Sequence, residues 1–263
     1  MKILIIGDVV GPCGTEYLRQ NLSSIAREHK VDMIIANGEN AAKNNGLDGS
    51  TANTIFSSGV DVITSGNHIW HKFEMQNIID DYPNILRPAN YPGECPGSGY
   101  VIYNACGVRV LVISVLGTVY LDSLESPFIT VERILKREEG NFDISIVDIH
   151  AEATSEKAAF ARYFDGKVTS VVGTHTHVQT ADERILPNGT AFITDLGMTG
   201  AYESILGVEC ERIIYKFMTK MPTRFEQAEG PCQFNGAIVT VDDSTYKAKS
   251  IERIFILEND EKR

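Results

Sequence analysis

The sequence has few cysteines and no pair of them at the spacing of a metal or redox motif. Its five cysteines are an odd number and lie far apart, and none belongs to a C-x-x-C pair: Cys13, Cys95, Cys106, Cys210 and Cys232. This pattern argues against both a zinc ribbon and a disulfide framework. We therefore expect the cysteines to be reduced and mostly structural.

A long apolar run is also missing. No stretch approaches the ~20 consecutive apolar residues that span a bilayer, and the hydrophobic content of 43% is ordinary for a globular protein. The apolar start at 3–6 is interrupted by Asp8, and no small-residue cleavage site follows. The sequence predicts a soluble protein that does not contact a membrane and is located in the cytoplasm.

Positive charge is scarce. The 24 Lys and Arg residues against 35 Asp and Glu give a formal net charge of −11. Because sequence-independent binding to nucleic acids depends on Lys and Arg neutralising phosphates, we expect no extended nucleic-acid binding. A phosphate ligand would need a local positive charge, which bound divalent cations could supply.

The order of apolar runs predicts an α/β fold in one domain, 1–263, because no repeat, low-complexity tract or long linker divides the chain. Up to about residue 90, strand-like runs alternate with helical patterns, which predicts parallel strands with right-handed crossovers. A Pro/Gly-rich loop at 87–97 precedes a second α/β half, and the charged tail at 258–263 is expected to fray. Helices are predicted at 14–28, 50–58, 72–80, 131–138 and 208–219, and later strands at 100–103, 108–115, 144–149, 168–172, 190–194, 236–241 and 249–257.

Five predicted strands are each followed by side chains that can bind a metal or a phosphate. One Asp after a strand would mean little, because turns and caps use Asp and Asn constantly. The same pattern after five strands indicates a binding site, because ligands in open α/β sheets bind beyond the carboxyl ends of strands. The candidate residues, in chain order, are Asp8, Glu39, Asn40, Asn67, His68, His150, His175 and His177.

These donors are oxygens and imidazoles without a thiolate, which suits iron, manganese, zinc or cobalt. They exceed what one tetrahedral ion needs and so favour two metals, typically ~3.5–4 Å apart in two-metal hydrolases. Two divalent cations, less Asp8, Glu39 and a bridging hydroxide, leave a charge of about +1, which suits a singly charged phosphodiester.

The blocks that carry the donors resemble the calcineurin-like metallophosphoesterases, and more closely their YmdB-like branch, over essentially the whole chain. Three departures from the wider superfamily are Val10 for a histidine, Glu39 for the bridging Asp, and Ile69 for an acidic residue. The resemblance implies a layered sandwich of central β-sheets flanked by helices, with the site at the carboxyl ends of strands. The matching blocks are Gly7-Asp8-Val9-Val10-Gly11, Asn37-Gly38-Glu39-Asn40-Ala41, Gly66-Asn67-His68, Asp148-Ile149-His150-Ala151-Glu152, Gly173-Thr174-His175-Thr176-His177 and Asp195-Leu196-Gly197-Met198-Thr199-Gly200.

The resemblance also implies roles for the candidate residues. His68 would be the general acid, and Asn40 would contact phosphate or metal-bound water, while a hydroxide bridging the two metals attacks phosphorus. Iron or manganese is expected, with zinc or cobalt as alternatives. Asp8, Glu39 and His177 would hold one metal, and Glu39, Asn67, His150 and His175 the other.

By this resemblance, the expected function is hydrolysis of small phosphodiesters, with 2′,3′-cyclic nucleotides as the substrate class. Two alternatives stay open: a phosphomonoesterase or phosphoprotein phosphatase, because the same metals serve either ester, and a non-catalytic metal-binding regulatory protein. The native metal, the physiological substrate, regulatory partners and the oligomeric state, with a homo-oligomer as one option, are not determined by the sequence.

The roles of several residues around these blocks also stay open. For His71, capping or packing is favoured over a substrate contact. Arg224 and Phe225 could wall a substrate pocket or pack within a loop. Asp195 could orient a ligand histidine or be an ordinary strand-end residue, and the partner that orients His68 is not identified.

Overall fold

The structure is a computed structural model that describes residues 1–258 of the chain. The predicted fraying of the charged tail concerns residues that, apart from Glu258, lie outside this range. Within it the elements are β1 (Lys2–Val10), α1 (Gly11–His29), β2 (Met33–Asn40), α2 (Gly49–Ser57), β3 (Val62–Thr64), α3 (Met75–Ile78), β4 (Tyr100–Ala105), β5 (Val108–Leu116), α4 (Pro127–Arg137), β6 (Ile144–His150), α5 (Thr154–Tyr163), β7 (Ser170–Thr174), β8 (Arg184–Ile185), β9 (Ala191–Ile193), β10 (Met198–Ala201), α6 (Cys210–Thr219), β11 (Cys232–Val241) and β12 (Ala248–Leu257).

The described strands form two six-stranded sheets. The first has the order β12-β11-β10-β1-β2-β3, and the second has the order β4-β5-β6-β7-β9-β8. Strands β1, β2 and β3 are parallel, as are β5, β6, β7 and β9. Antiparallel strands β12 and β4 form one edge of each sheet. The predicted α/β class with parallel central strands is therefore confirmed.

Successive side chains of a strand point to opposite faces of its sheet. Each sheet therefore packs against the other sheet on one face and against helices on the opposite face, which gives four layers. Ile3 and Ile5 of β1 lie in the core between the two sheets, together with Val110 and Val112 of β5. Leu4 and Ile6 face α1 and α2, and alternate residues of β5 face α4 and α5. Burying each such side chain contributes about 1.5–3 kcal/mol. This arrangement of helix, sheet, sheet and helix confirms the predicted layered sandwich.

Some elements differ from the sequence prediction. Helix α5 was not predicted, because Glu156 and Lys157 lie buried on its inner face and interrupt the apolar stripe. Strand β10 was also missed, since it has four residues and contains Gly200. The predicted helix at 72–80 is a short α3 followed by a single 3-10 turn at Ile79–Asp81. Short elements carry too little periodicity to be read reliably.

The expectation that all cysteines are reduced is wrong for two of them. Cys13 and Cys232 form a disulfide, with their Cα atoms 6.7 Å apart although 219 positions separate them in sequence. The first turn of α1 and the start of β11 are neighbours in the fold, which scattered cysteine positions do not reveal. Cys95, Cys106 and Cys210 are free thiols.

None of the helices within residues 1–258 combines the length and the apolar character that a membrane span requires.

Candidate active site

The candidate residues come from strands of both sheets and meet at one place. Asp8 lies near the end of β1, Glu39 and Asn40 end β2, His150 ends β6, and the others follow β3 and β7. Contacts of 3.7 Å or less link all eight into one cluster, in which the contact between Glu39 and Asn40 joins the two halves. The structure therefore brings together every residue that the sequence proposed for the site, at the seam between the two sheets.

His150 is the centre of the first group of donors. Its Nε2 lies 3.1 Å from Glu39 Oε1, 3.1 Å from Asn67 Oδ1 and 3.0 Å from His175 Nδ1. The possible ligand atoms of Glu39, His150 and His175 all lie within 4.8 Å of one another, so these three residues could hold a metal ion. Atoms that share one ion at about 2.1 Å lie about 3.0–3.4 Å from one another. The spacing of this group therefore fits a single cation.

The protonation of His175 supports the same interpretation. Its Nε2 lies 3.0 Å from Glu152 Oε2 and can donate a hydrogen bond there, which leaves Nδ1 bare toward His150. Burial, with the positive charge of His150, lowers the pKa of His175 to about 4. A neutral imidazole with a bare nitrogen aimed at other donors is what a metal ligand requires.

Asp8 and His177 form a second group. Asp8 Oδ2 accepts a hydrogen bond from the backbone N–H of His175 at 3.0 Å, whereas its buried Oδ1 has no hydrogen-bond partner among residues 1–258. Burial raises the pKa of Asp8, against the lowering effect of His177 and His150. His177 Nδ1 donates to the carbonyl of Leu206 at 3.0 Å, so Nε2 is bare and lies 3.7 Å from Asp8 Oδ1. An orphaned buried oxygen beside a bare nitrogen also fits a cation.

Glu39 connects the two groups. Its Oε1 accepts from Asn40 Nδ2 at 3.1 Å, and that same nitrogen lies 3.2 Å from His177 Nε2. Its Oε2 accepts from the backbone N–H of His68 at 2.9 Å. Burial alone would raise the pKa of Glu39, but His150 and His68 outweigh it and hold the pKa well below its usual range. Glu39 is thus an anion placed between both groups.

Asn40 orients His68, which answers a question that the sequence left open. The Nδ1 of His68 lies 2.8 Å from Asn40 Oδ1 and donates to it, so Nε2 is the nitrogen that remains for a substrate. The His68 side chain is 25% exposed and can therefore be reached. The His71 ring packs against His68 with centroids 4.3 Å apart, and burial followed by the charge of His68 lowers the pKa of His71.

Sequence reasoning missed the buried polar side chains beneath the candidate residues. Burial lowers the pKa of His150, but the carboxylates of Glu39, Asp8 and Asp148 outweigh it and raise that pKa to about 9. Burial raises the pKa of Asp148 to about 6, against the hydrogen bond from Thr64. A signal was available, because Asp148 and His150 are two residues apart on one strand and so share a face.

Asp195 binds the backbone of the loop between His175 and His177. Its Oδ2 accepts from Lys157 Nζ at 2.6 Å and from the N–H of Thr176 at 3.1 Å. His175 and His177, on either side of Thr176, have φ values of 102° and 62°. Such left-handed backbone costs about 1–3 kcal/mol per residue and needs support of this kind. Asp195 therefore positions the loop and not an imidazole ring.

Arg224 and Phe225 have different surroundings. Arg224 lines a cavity of about 710 Å³ together with Lys43 and Gln227. Gln227 Nε2 donates to the carbonyl of Ala42 at 3.2 Å, so this cavity adjoins the loop that follows β2. Phe225 is 43% exposed, and Lys216 Nζ lies 5.0 Å from its ring centroid.

Comparison with known proteins first defines the class. A crystal structure of the calcineurin-like phosphoesterase YfkN from Bacillus subtilis matches with a TM-score of 0.60 and 13% identity, covering 98% of this chain and 90% of that one. The likeness shows the calcineurin-like phosphoesterase fold. A family model described as YmdB-like protein matches residues 4–254, and the chain therefore belongs to the YmdB-like family. The resemblance seen in the sequence blocks is confirmed.

Two relatives are similar over nearly their whole length. A 2′,3′-cyclic-nucleotide 2′-phosphodiesterase from Bacillus subtilis (strain 168) is 46% identical over 256 residues, which is 97% of each chain. A crystal structure described as a novel phosphatase from Mycoplasma pneumoniae has a TM-score of 0.92 and 33% identity, covering 98% of this chain and 94% of that one.

Proposed function

We propose that this chain is a metal-dependent phosphodiesterase that hydrolyses small phosphodiesters, with 2′,3′-cyclic nucleotides as its substrate class. The observation that carries the proposal is the convergence of bare nitrogen and carboxylate donors on one seam, with His68 beside them. The coarse class, a hydrolase of phosphoric esters, is confirmed by the names of the relatives from Bacillus and Mycoplasma. The substrate class follows the name of the Bacillus relative.

The proposed ligands form two groups that share Glu39. Two divalent ions are proposed, with iron or manganese expected first. Bound there, they would offset the charge of a phosphodiester and lower the pKa of a bound water. Support comes from the orphaned Asp8 Oδ1 and from the bare nitrogens of His175 and His177. The two groups are Asp8, Glu39 and His177, and Glu39, Asn67, His150 and His175.

His68 is proposed as the general acid. Because Asn40 Oδ1 accepts the hydrogen bond from Nδ1, the proton available for chemistry is on Nε2 of the imidazolium. In hydrolysis a water gives up one proton to solvent, its oxygen forms a bond to phosphorus, and the bond from phosphorus to a ribose oxygen breaks. That leaving oxygen takes the proton from His68 Nε2. Asn40 keeps the ring in the orientation that this transfer needs.

The first test combines elemental analysis of the purified protein with turnover assays, with and without added Mn²⁺. The substrates are bis-p-nitrophenyl phosphate, 2′,3′-cyclic AMP, 3′,5′-cyclic AMP and, as the monoester, p-nitrophenyl phosphate. About two metals per chain with preferred turnover of 2′,3′-cyclic AMP supports the proposal. Turnover of the monoester alone would establish the phosphatase alternative, and metal without any turnover would favour the regulatory one.

Replacing His68 by alanine tests the general acid. We expect His68→Ala to lower kcat by about 10²–10⁴-fold, the usual contribution of general acid catalysis, with the metal content unchanged. The matched control is His29→Ala, at the end of α1 and outside the cluster. Unchanged turnover in His68→Ala with both metals present would rule out this role.

Replacing Glu39 by glutamine tests the bridge between the two groups. The change keeps the shape of the side chain but removes its charge, so we expect Glu39→Gln to lose bound metal and turnover together. Asn53→Asp on α2 serves as a control for a change of one charge outside the site. Two metals per chain in Glu39→Gln would show that Glu39 does not bridge them.

A further inference from the structure

A buried chain of hydrogen bonds lies beneath the proposed ligands and takes no part in the chemistry proposed above. Thr174 Oγ1 lies 2.7 Å from Asp148 Oδ1 and 2.9 Å from His150 Nδ1. Asp148 is 2% exposed, and the other two residues are fully buried. No water can replace a hydrogen bond that is lost here, so each donor must meet its acceptor within the protein.

The register of the strands places these side chains together. Asp148 and His150 are two residues apart on β6, and His150 is directly paired with Thr174 on β7. Thr64 reaches the same carboxylate from β3 of the other sheet, with Oγ1 2.6 Å from Asp148 Oδ2. The chain of hydrogen bonds therefore joins both sheets directly under the site.

The neighbours of Asp148 decide which atoms donate. Thr64 Oγ1 and Asn37 Nδ2 approach Asp148 Oδ2 at 2.6 and 3.3 Å. Asn37 has its Oδ1 occupied by the backbone N–H of Glu39, so its Nδ2 is the donor on this side, and Nδ2 lies 3.4 Å from both Thr174 Oγ1 and His150 Nδ1. An ionised carboxylate accepts hydrogen bonds and donates none. Asp148 surrounded in this way is an acceptor at both oxygens.

The hydrogen bond from Thr174 to Asp148 then determines that His150 Nδ1 donates its hydrogen to Thr174. A threonine hydroxyl has a single hydrogen, and this hydrogen goes to Asp148 Oδ1. The oxygen of Thr174 therefore faces His150 Nδ1 with its lone pairs, and Nδ1 must donate. In the reverse order a protonated Asp148 would donate to Thr174 and Thr174 to Nδ1, which would put a hydrogen on Nε2 and aim it at the other donors.

We propose that Thr174 and Asp148 are positioning residues that hold a proton of His150 on Nδ1, so that Nε2 is the nitrogen that gives up its proton and binds metal. This inference rests on the proposed function, because it treats His150 as a ligand. Nε2 is the nitrogen that meets Glu39 and His175 at 3.1 and 3.0 Å. Partners of this kind fix the ring and raise the basicity of a ligand histidine.

The test compares two valine variants that each remove one hydroxyl from the same carboxylate. Thr174→Val takes away the donor to Asp148 and the acceptor of His150, whereas Thr64→Val takes away a donor to Asp148 alone. Both threonines are buried to the same degree, so the two changes carry a similar cost in stability. The readout is the affinity of the metal-stripped protein for Zn²⁺, measured by competition with a chelator.

We expect Thr174→Val to weaken Zn²⁺ binding by about 10–100-fold, the usual effect of removing such a partner. Thr64→Val should bind nearly as the unaltered protein does, and Thr174→Ser should restore most of the affinity because it keeps the hydroxyl. Equal losses in the two valine variants would show that Thr174 acts through stability alone and would overturn the inference.

A second measurement needs no variant of Thr174. In the Zn²⁺-loaded protein with ¹⁵N-labelled histidine, NMR should detect a hydrogen on Nδ1 of His150, assigned by its absence in His150→Gln. A hydrogen on Nε2 would overturn the inference while leaving the proposed metal site intact. Failure of the unaltered protein to bind Zn²⁺ would instead overturn the proposed function, and this inference with it.

Discussion

At the scale of single residues, the site depends on small groups that leave room for ligand rings. Gly66 comes just before Asn67 and His68, and a Cβ atom built on it would overlap the ring of His150. His150 is fully buried and held at both nitrogens, so it has little freedom to move aside. A glycine, which has no side-chain donor, therefore leaves the space that the ring of the proposed ligand His150 occupies.

Gly66→Ala should disturb the site more than the fold. The added methyl group forces the ring of His150 out of line with its partners, and a displacement of about 1 Å in an active site can cost on the order of 10²-fold in rate. We expect lower metal affinity and lower kcat, with overpacking costing about 1–3 kcal/mol of the free energy of unfolding. Metal titration, turnover and urea unfolding measure the three effects.

Gly93→Ala is the matched control, since nothing lies within 4 Å of a Cβ built at Gly93 and its backbone is not left-handed. It should behave as the unaltered protein does in all three measurements. Normal metal affinity and turnover in Gly66→Ala would show that the His150 ring can relocate without consequence, contrary to the tight packing described here.

At the scale of elements, helix α5 supports the loop that carries two of the proposed ligands, His175 and His177. Its buried Lys157 donates to Asp195, and Asp195 accepts from the backbone of Thr176 between His175 and His177. Helix α5 was not predicted from the sequence because the same lysine places a charge on the inner face and interrupts the apolar pattern. Helix α5, whose sequence did not predict a buried helix, thus positions the 175–177 loop.

Lys157→Met should be strongly destabilising. It leaves Asp195 as a buried carboxylate without its cation, and breaking a buried ion pair in this way costs about 3–5 kcal/mol. We expect a fall of that size in the free energy of unfolding by urea, together with weaker metal binding as the 175–177 loop loses its support.

The control is Lys167→Met, which breaks the half-exposed pair with Glu132 at 3.7 Å. Exposed pairs contribute about 0–1 kcal/mol, so its unfolding should change little. Similar losses in the two variants would mean that burial does not strengthen the dependence of Asp195 on Lys157.

At the scale of the whole molecule, the proposed ligands extend from Asp8 to His177 and come from both sheets. The candidate site therefore draws on residues from 8 to 177, and the single domain, 1–263, stays a prediction. The disulfide between Cys13 and Cys232 adds a second long-range connection, joining the start of α1 to the start of β11. Helix α1 begins directly after the strand that carries Asp8.

Reduction of this disulfide should lower stability without removing the site. Closing a loop of this length contributes about 2–5 kcal/mol to the free energy of unfolding. Dithiothreitol should therefore lower the urea midpoint of the unaltered protein but not that of Cys13→Ser/Cys232→Ser. Thiol titration of the denatured protein should find three free thiols before reduction and five after. Five thiols before reduction would contradict the pairing.

The sequence alone determined the strand ends and the kinds of donor that follow them. Apolar runs are local, and parallel strands deliver their carboxyl ends to one edge, so Asp8, Glu39 and His150 could be assigned to one site. The blocks around them also identified the YmdB-like family. These features need no knowledge of which strands are neighbours.

Tertiary structure decided which side chains face each other across elements. Asn40 orients His68, Thr174 links Asp148 to His150, and Lys157 supports the 175–177 loop, while two distant cysteines form a disulfide. Each of these contacts depends on sheet order, strand register and side-chain direction, which arise when the two sheets pack. Local sequence patterns do not contain that information, because hydrogen bonds of about 3 Å are set by the relative placement of residues far apart in the chain.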